Sequence, residues 1–275
     1  MLVFLNDQII EEKEAKISIS DLSYQFGFGL FETIRCEQGI PIFFELHYKR
    51  LTNSAKEIGM PFPMEVDEVK IWIKNVLGAN KLNNARLKLL ISKKTDDKFN
   101  VLIIPSQLEQ LPKSYSLIQW NLSRDSNSIS FKHKTTSRAD SFVAFKYATE
   151  KGFQDALFTN EKNEITECTR ANVYLISEEK IITPNIESGI LSGVTRTKLL
   201  EIAKKNNILF EEKNVNKLYL NKASEAFVTN AIIGIMPVSK IIFQDKEYIF
   251  STFQKTTQLQ CLYQEEVKEY CRKAS

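Results

Sequence analysis

Four clusters in this 275-residue sequence carry residue types able to do covalent or anion chemistry. The first is Ser188-Gly189-Ile190-Leu191-Ser192-Gly193-Val194-Thr195-Arg196, which runs into helical spacing from Val194 onward. Two glycines and hydroxyl side chains ahead of a helix expose unpaired N–H groups, and the helix dipole adds about half a positive charge there, which favours a phosphate. An ordinary helix cap explains the same residues as well. The second is Lys134, in Phe131-Lys132-His133-Lys134-Thr135-Thr136-Ser137-Arg138. A lysine just before a helix can be buried enough to lose its proton and act as a nucleophile. On spacing alone, Lys132 and Lys134 read as solvated surface residues. The third is Glu167, with Asn172 shortly after it; it could face a cationic ring nitrogen or be an exposed hairpin carboxylate. The fourth is Arg50, on a helical turn one place before the apolar Leu51. Its guanidinium suits bidentate phosphate binding, although a helix-surface charge is the commoner outcome.

The elements that must hold these residues can be read from periodicity. Strands over 2–5 and 17–20 flank a mostly polar 6–16 segment and predict a hairpin. A second hairpin is expected from 31–36 and 41–44, where Gly39 can supply a positive φ. Helices follow over 45–58, with His47, Leu51, Ala55 and Ile58 on one face and Gly59 as the stop, and over 66–77, burying Val69, Trp72, Ile73 and Val76 and ending at Gly78. Strands 87–92 and 100–104 are separated by a polar turn over 93–98. The polar 107–114 segment divides an N-terminal α/β domain, 1–110, from a C-terminal domain, 115–275.

That second domain starts with a strand over 115–120 and a helix over 137–151, whose apolar members are Phe142, Val143, Phe145 and Ala148. A meander of strands over 156–159, 171–176 and 180–183 leads to helices over 194–206 and 216–223. A strand over 226–229, a pair near 237–249 and a terminal helix complete the chain. The class is mixed α/β, and the strand order does not suggest a dinucleotide-binding unit.

Composition removes several function classes. Hydrophobic residues make up 43% and charged residues 26%, the balance of a globular chain. The net charge of +3 is scattered, with no run of like charges that would mark a nucleic-acid or lipid surface. The longest apolar runs are about five residues, far below the roughly 20 that span a bilayer. The first residues lack the pattern of a signal peptide, so a cytoplasmic location is expected. Cys36, Cys168, Cys261 and Cys271 form no CxxC pair and fit no zinc pattern with His47 and His133, so reduced thiols and no metal are expected.

Taken in order, the clusters resemble the class IV aminotransferase family of pyridoxal 5′-phosphate (PLP) enzymes, fold type IV. Its members include branched-chain and D-amino-acid aminotransferases and 4-amino-4-deoxychorismate lyase. The resemblance extends from about Ser18 to Lys240. It rests on Gly27-Phe28-Gly29-Leu30-Phe31-Glu32-Thr33-Ile34-Arg35, then 47–51, 134–138, 167–172, Thr183-Pro184, 189–196, and 226–238 with Ile235-Met236-Pro237-Val238 at its end. It implies a two-domain, D-amino-acid aminotransferase-like fold with the cofactor between the domains, and a homodimer whose partner helps enclose the site. Lys134 would link covalently to PLP, and Glu167 would pair with the pyridine nitrogen. Arg50, with Val194 and Thr195, would hold the phosphate, and the loop at Asn230, Ala231 and Ile232 would complete its cradle. Two departures stand out. Phe28 replaces the usual Asp between the glycines, which bears on loop geometry, and Lys93-Lys94 replaces a common Arg-Gly pair, which bears on substrate recognition.

Within the family, Phe31-Glu32-Thr33, Arg138 four places after Lys134, and 230–237 are more similar to the lyase branch. That resemblance implies release of pyruvate from aminodeoxychorismate and formation of 4-aminobenzoate, a folate precursor. Thr33 would position the group that protonates the departing side chain, and Arg138 joins Thr33 on the substrate side. The alternative is an aminotransferase acting on branched-chain or D-amino acids. A catalytically silent PLP-binding protein and a PLP-free scaffold are the readings outside enzyme chemistry.

Overall fold

The computed structural model describes residues 1–60, 64–94 and 98–274, and residues 95–97 of the turn expected over 93–98 lie outside them. The chain forms two units: Met1–Gln110 with His133–Arg138 and Val267–Ser275, and Leu111–Lys132 with Ala139–Glu266.

In the first unit, β1 (Leu2–Leu5) and β2 (Gln8–Glu11) are joined by Asn6 and Asp7, both at positive φ, 47° and 70°. Asn and Asp tolerate that region, and a two-residue turn of this hand matches strand twist. This corrects the expected pairing of 2–5 with 17–20: the tight turn closes the hairpin first, and 17–20 is not strand. A helix absent from the expectations, α1 (Leu22–Phe26), is capped by the Asp21 carboxylate, which accepts from the Ser23 and Tyr24 amides. There follow β3 (Gly29–Glu37), β4 (Ile40–Pro41), α2 (Phe44–Glu57), α3 (Val66–Ala79), β5 (Ala85–Lys93) and β6 (Phe99–Ser106). Among the described residues the sheet runs β2-β1-β6-β5-β3-β4, antiparallel throughout.

Both long helices stand within two residues of their expected ends, although α3 continues through Gly78 and is closed by Asn80, which bonds Val76 and Leu2 carbonyls. β3 alternates. Leu30, Ile34 and Cys36 point into a core with Phe44 and Leu51 of α2 and Ile73 of α3, whereas Phe31, Thr33 and Arg35 take the opposite row. Each fully buried aliphatic side chain contributes about 2 kcal/mol. Glu32 falls on the inward, apolar row.

The second unit contains β7 (Tyr115–Gln119), α4 (Ile129–Lys132), α5 (Ala139–Glu150), β8 (Asp155–Thr159), β9 (Ile165–Cys168), β10 (Asn172–Ser177), β11 (Lys180–Pro184) and α6 (Val194–Lys205). Then come β12 (Phe210–Lys213), α7 (Lys217–Lys222), β13 (Glu225–Asn230), β14 (Gly234–Phe243) and β15 (Lys246–Ile249). Periodicity passes over β9 and β12, each only four residues long. From β10 the ladders run to β13, β14, β7, β8 and β9, and return to β10 through the pair Asn172↔Glu167. Six strands thus close on themselves, with β11, β12 and β15 appended.

α5 does not bury the face expected from its large apolar residues. Phe142 and Val143 are 70% and 52% exposed, and the inward face is Ser141, Ala144 and Ala148. The small side chains let the helix sit close against Ala156 and Phe158 of β8. Finally α8 (Gln254–Ala274) passes into the first unit from Val267, where the Tyr270 hydroxyl accepts from the Phe44 amide at 3.1 Å and donates to Glu45 at 2.7 Å. Among the described residues, no helix is long and apolar enough to cross a membrane.

Candidate active site

Lys134 belongs to the first unit, on a short segment that extends the β3 ladder. The Phe31 amide donates to the Lys134 carbonyl at 2.9 Å, the Thr136 amide donates to Gly29 at 2.8 Å, and Leu30 bridges Thr135. His133 ties the segment to α2, with Nδ1 3.0 Å from the Ser54 hydroxyl. Lys134 is half-buried, unlike its exposed neighbour Lys132, and its Nζ lies 4.5 Å from the centre of the Phe31 ring. Thr33 is two places along β3 on the same row as Phe31, half-buried, and Arg138 ends the segment, also half-buried.

Arg50 does not stand as a surface charge. Its Nε donates to Glu32 Oε1 at 2.8 Å and its Nη2 to Oε2 at 2.6 Å, while His47 Nδ1 lies 2.6 Å from Oε2. Burial pushes the Glu32 carboxyl up, but Arg50 and then His47 outweigh it and bring the pKa down to about 2. Burial lowers the His47 imidazole in turn, with Glu32 opposing, and the charge of Lys134 contributes to the lowering. A neutral ring whose Nδ1 faces a carboxylate carries its hydrogen there, so Glu32 accepts from both neighbours. Lys134 therefore lies within electrostatic reach of the Glu32–His47–Arg50 group.

Glu167 lies in the second unit at the ring closure and is 6% exposed. It accepts from Arg124 Nη1 at 3.1 Å, from Asn172 Nδ2 at 3.3 Å and from the Leu191 amide at 3.1 Å. Arg124 is itself buried, between the rings of Phe131 and Phe158 at 4.2 and 3.3 Å, and its Nη2 donates to Ser141. Three such donors fix the direction of the carboxylate.

The loop bonded to Glu167 leads directly into α6. Asn172 Nδ2 also donates to the Leu191 carbonyl at 3.0 Å, and a Cβ on Gly193 would overlap Asn172 Oδ1, so any larger residue there would force the Asn172 side chain to shift. Gly193 is the N-cap and offers no side-chain cap, which leaves the first N–H groups of α6 without intrahelical partners. Thr195 Oγ1 is buried with no hydrogen-bond partner among the described residues, and Val194 is buried beside it. An uncapped helix start with an unsatisfied buried hydroxyl is a site for an anion. The loop at Asn230, Ala231 and Ile232 leaves β13 next to the same seam, since Thr229 pairs with Asn172. There the Asn230 side chain shapes the turn: Oδ1 accepts from the Ile232 and Ile233 amides at 2.9 Å, and Nδ2 donates to the Arg170 carbonyl.

The candidate residues thus gather into two sets, Lys134, Thr33 and Arg50 in one unit and Glu167, Val194, Thr195 and Asn230 in the other. Sequence reasoning missed Glu32 and Arg124. An acid on the apolar row of a strand was a readable signal for the first, because such a charge must find partners. Arg124, in a polar stretch without periodicity, gave none.

A family model for class IV aminotransferases matches residues 29–241. An aminodeoxychorismate lyase from Bacillus subtilis is 28% identical over 280 residues, covering 97% of this chain and 95% of that protein. A D-alanine aminotransferase from Bacillus licheniformis is 28% identical over 254 residues, with 88% of each covered. Among solved structures, a Legionella pneumophila protein provisionally assigned as a 4-amino-4-deoxychorismate lyase superposes with a TM-score of 0.86 at 28% identity, covering 94% of this chain and 98% of that one.

Proposed function

The chain belongs to the class IV aminotransferase family, and on that footing we propose that it is a PLP-dependent 4-amino-4-deoxychorismate lyase, releasing pyruvate and forming 4-aminobenzoate. The placement of Lys134 carries the reading. A half-buried amine pinned by backbone bonds to a strand and set against an aromatic ring is positioned for condensation with an aldehyde. The near-full-length likeness to the Bacillus subtilis lyase supports the lyase branch.

The residues fit the cofactor. The uncapped start of α6 with the unsatisfied Thr195 hydroxyl suits a phosphate, Val194 and Thr195 supplying amides and Arg50 a guanidinium oriented by Glu32. The loop at Asn230, Ala231 and Ile232 borders that start. Glu167, held in place by Arg124, suits a protonated ring nitrogen. When bound, PLP supplies a ring that takes up the electron pair left as a proton departs from the amine-bearing carbon.

The protein's own groups do the rest. Lys134, once released from its covalent link, is the base that removes the proton from that carbon. Glu167, oriented by Arg124, is the carboxylate that would face the ring nitrogen. Thr33, on the Phe31 row of β3, positions the donor that protonates the departing enolpyruvyl group, and Arg138 faces the substrate. Breaking the carbon–oxygen bond and losing the ring proton leaves an aromatic product, which supplies driving force. We take the working form to be a homodimer: Ile19, Tyr24 and Phe26 are 80%, 76% and 73% exposed, apolar surface that a second copy would cover. A two-chain mass by light scattering tests that. A cytoplasmic location suits four cysteines that form no disulfide among the described residues.

Lys134→Ala is expected to abolish both the visible absorbance of the lysine-bound cofactor and pyruvate release, read by a lactate dehydrogenase-coupled assay with aminodeoxychorismate. Normal turnover in that variant ends the proposal. The likeness to the Bacillus licheniformis enzyme favours a second reading, transamination of D-alanine with 2-oxoglutarate. Amino transfer without pyruvate release from aminodeoxychorismate selects it.

A further inference from the structure

Lys88 was not among the residues singled out by sequence, yet it shares its surroundings with Lys134. It lies on β5 as the cross-strand partner of Thr33, on the row that faces away from the unit's apolar core. Its Nζ is 4.9 Å from the centre of the Phe31 ring, the ring against which Lys134 Nζ rests at 4.5 Å. Both amines therefore lie against one phenylalanine ring. Lys88 is half-buried, and among the described residues no carboxylate pairs with it. Burial, and then the neighbouring Arg86, depress its pKa, as expected of a partly desolvated cation that lacks a counter-ion. Such a cation is costly unless an anion joins it.

We infer that Lys88 is the anchor for the substrate carboxylate that lies across the ring from the reacting amine, and thus a specificity-determining residue. The inference rests on Lys134 being the amine that engages the substrate. In an aminocyclohexadiene or aminobenzene acid, the carboxylate carbon para to the amine lies about 6 Å from the nitrogen by ordinary bond lengths. The two lysine Nζ atoms are separated by no more than their combined distances to the Phe31 centroid, so that span is compatible with one ligand reaching both. Phe31 would then lie along the flat ring between the two charges. Thr33, opposite Lys88, places the proposed proton-positioning hydroxyl on the same strand pair.

A substrate carrying only an α-carboxylate beside its amine, as an amino acid does, would leave Lys88 without a partner. The residue would therefore favour the lyase substrate over small amino acids.

The test compares Lys88→Met and Lys88→Arg with the wild type as purified holoenzymes. Lys88→Met is expected to keep the visible absorbance of the Lys134-bound cofactor and to raise KM for aminodeoxychorismate at least tenfold, with kcat falling less than threefold. Wild type is expected to be inhibited at least tenfold more strongly by 4-aminobenzoate than by the neutral 4-aminobenzamide, and Lys88→Met to show no preference. Lys88→Arg, which keeps the charge, should restore KM to within about threefold. An unchanged KM and preference in a coloured Lys88→Met enzyme overturns the role of Lys88 alone. A wild type with neither colour nor pyruvate release overturns the Lys134 reading, and this inference falls with it. An Arg variant as impaired as the Met variant also overturns it, since charge would then not be what binds.

Discussion

Replacing Glu32 by glutamine removes one negative charge from a position that is 1% exposed, while keeping the shape and one acceptor. The Glu32 pKa lies at about 2 against an ordinary 4.5, so its ionised form contributes about 3 kcal/mol of stability at neutral pH. The sign is set by the depression. The contribution is complete above pH 4.5 and fades as pH falls from there toward 2, where the folded carboxyl takes up its proton. Glutamine cannot supply it at any pH. The difference between wild type and Glu32→Gln should therefore narrow from about 3 kcal/mol at pH 7 to about half that at pH 3. Urea unfolding followed by tryptophan emission can read this locally, because Trp72 belongs to the core that Glu32 adjoins and a Trp120→Phe background silences the other indole. Arg50 would lose its bidentate partner as well, so retention of PLP should weaken in the same variant. A penalty that stays constant from pH 7 to pH 3, or one below about 1 kcal/mol, refutes the charge argument.

The start of α6 offers two further checks. Thr195→Val removes a hydroxyl that has no partner among the described residues, so the cofactor-free fold should keep its stability, while PLP affinity falls about tenfold or more for one lost bond to a charged phosphate. Titration of the cofactor-free protein measures this, and unchanged affinity would remove the phosphate from that helix. Gly193→Ala should destabilise the second unit by about 1–3 kcal/mol, since its methyl group would overlap Asn172 Oδ1 although its backbone φ of −67° suits any residue. A melting temperature equal to that of wild type would show that the Glu167–Leu191 loop is not tightly held.

Sequence reading reached what is periodic. The 3.6-residue spacing of Leu51 and Ala55, or of Val69, Ile73 and Val76, placed α2 and α3 because burial of one face fixes both helix and orientation. It failed where size of side chain and burial part company, as in α5, where alanines face inward and Phe142 faces out. It also failed on β9 and β12, whose four residues are too few to show an alternation. Lys134, Glu167 and Arg50 were uninformative one by one, and only their common order made them candidates. What no spacing could convey is how each is held. That Arg50 grips a buried acid, that Arg124 stands behind Glu167, and that Lys88 meets Phe31 are contacts between residues distant in sequence.

The pairing of Glu167 with Asn172 has a consequence for how this chain could be altered by insertion or deletion. Side chains on a strand change sides at every step, so adding one residue between Asn163 and Glu167 would turn the carboxylate to the far side of the ladder. Length changes confined to the solvent-facing bend at 161–163 could be absorbed as slack, provided the ladder from Ile165 onward stays in phase. The seam thus acts as a ruler: it leaves the bend free to vary in length while holding the acid to one side.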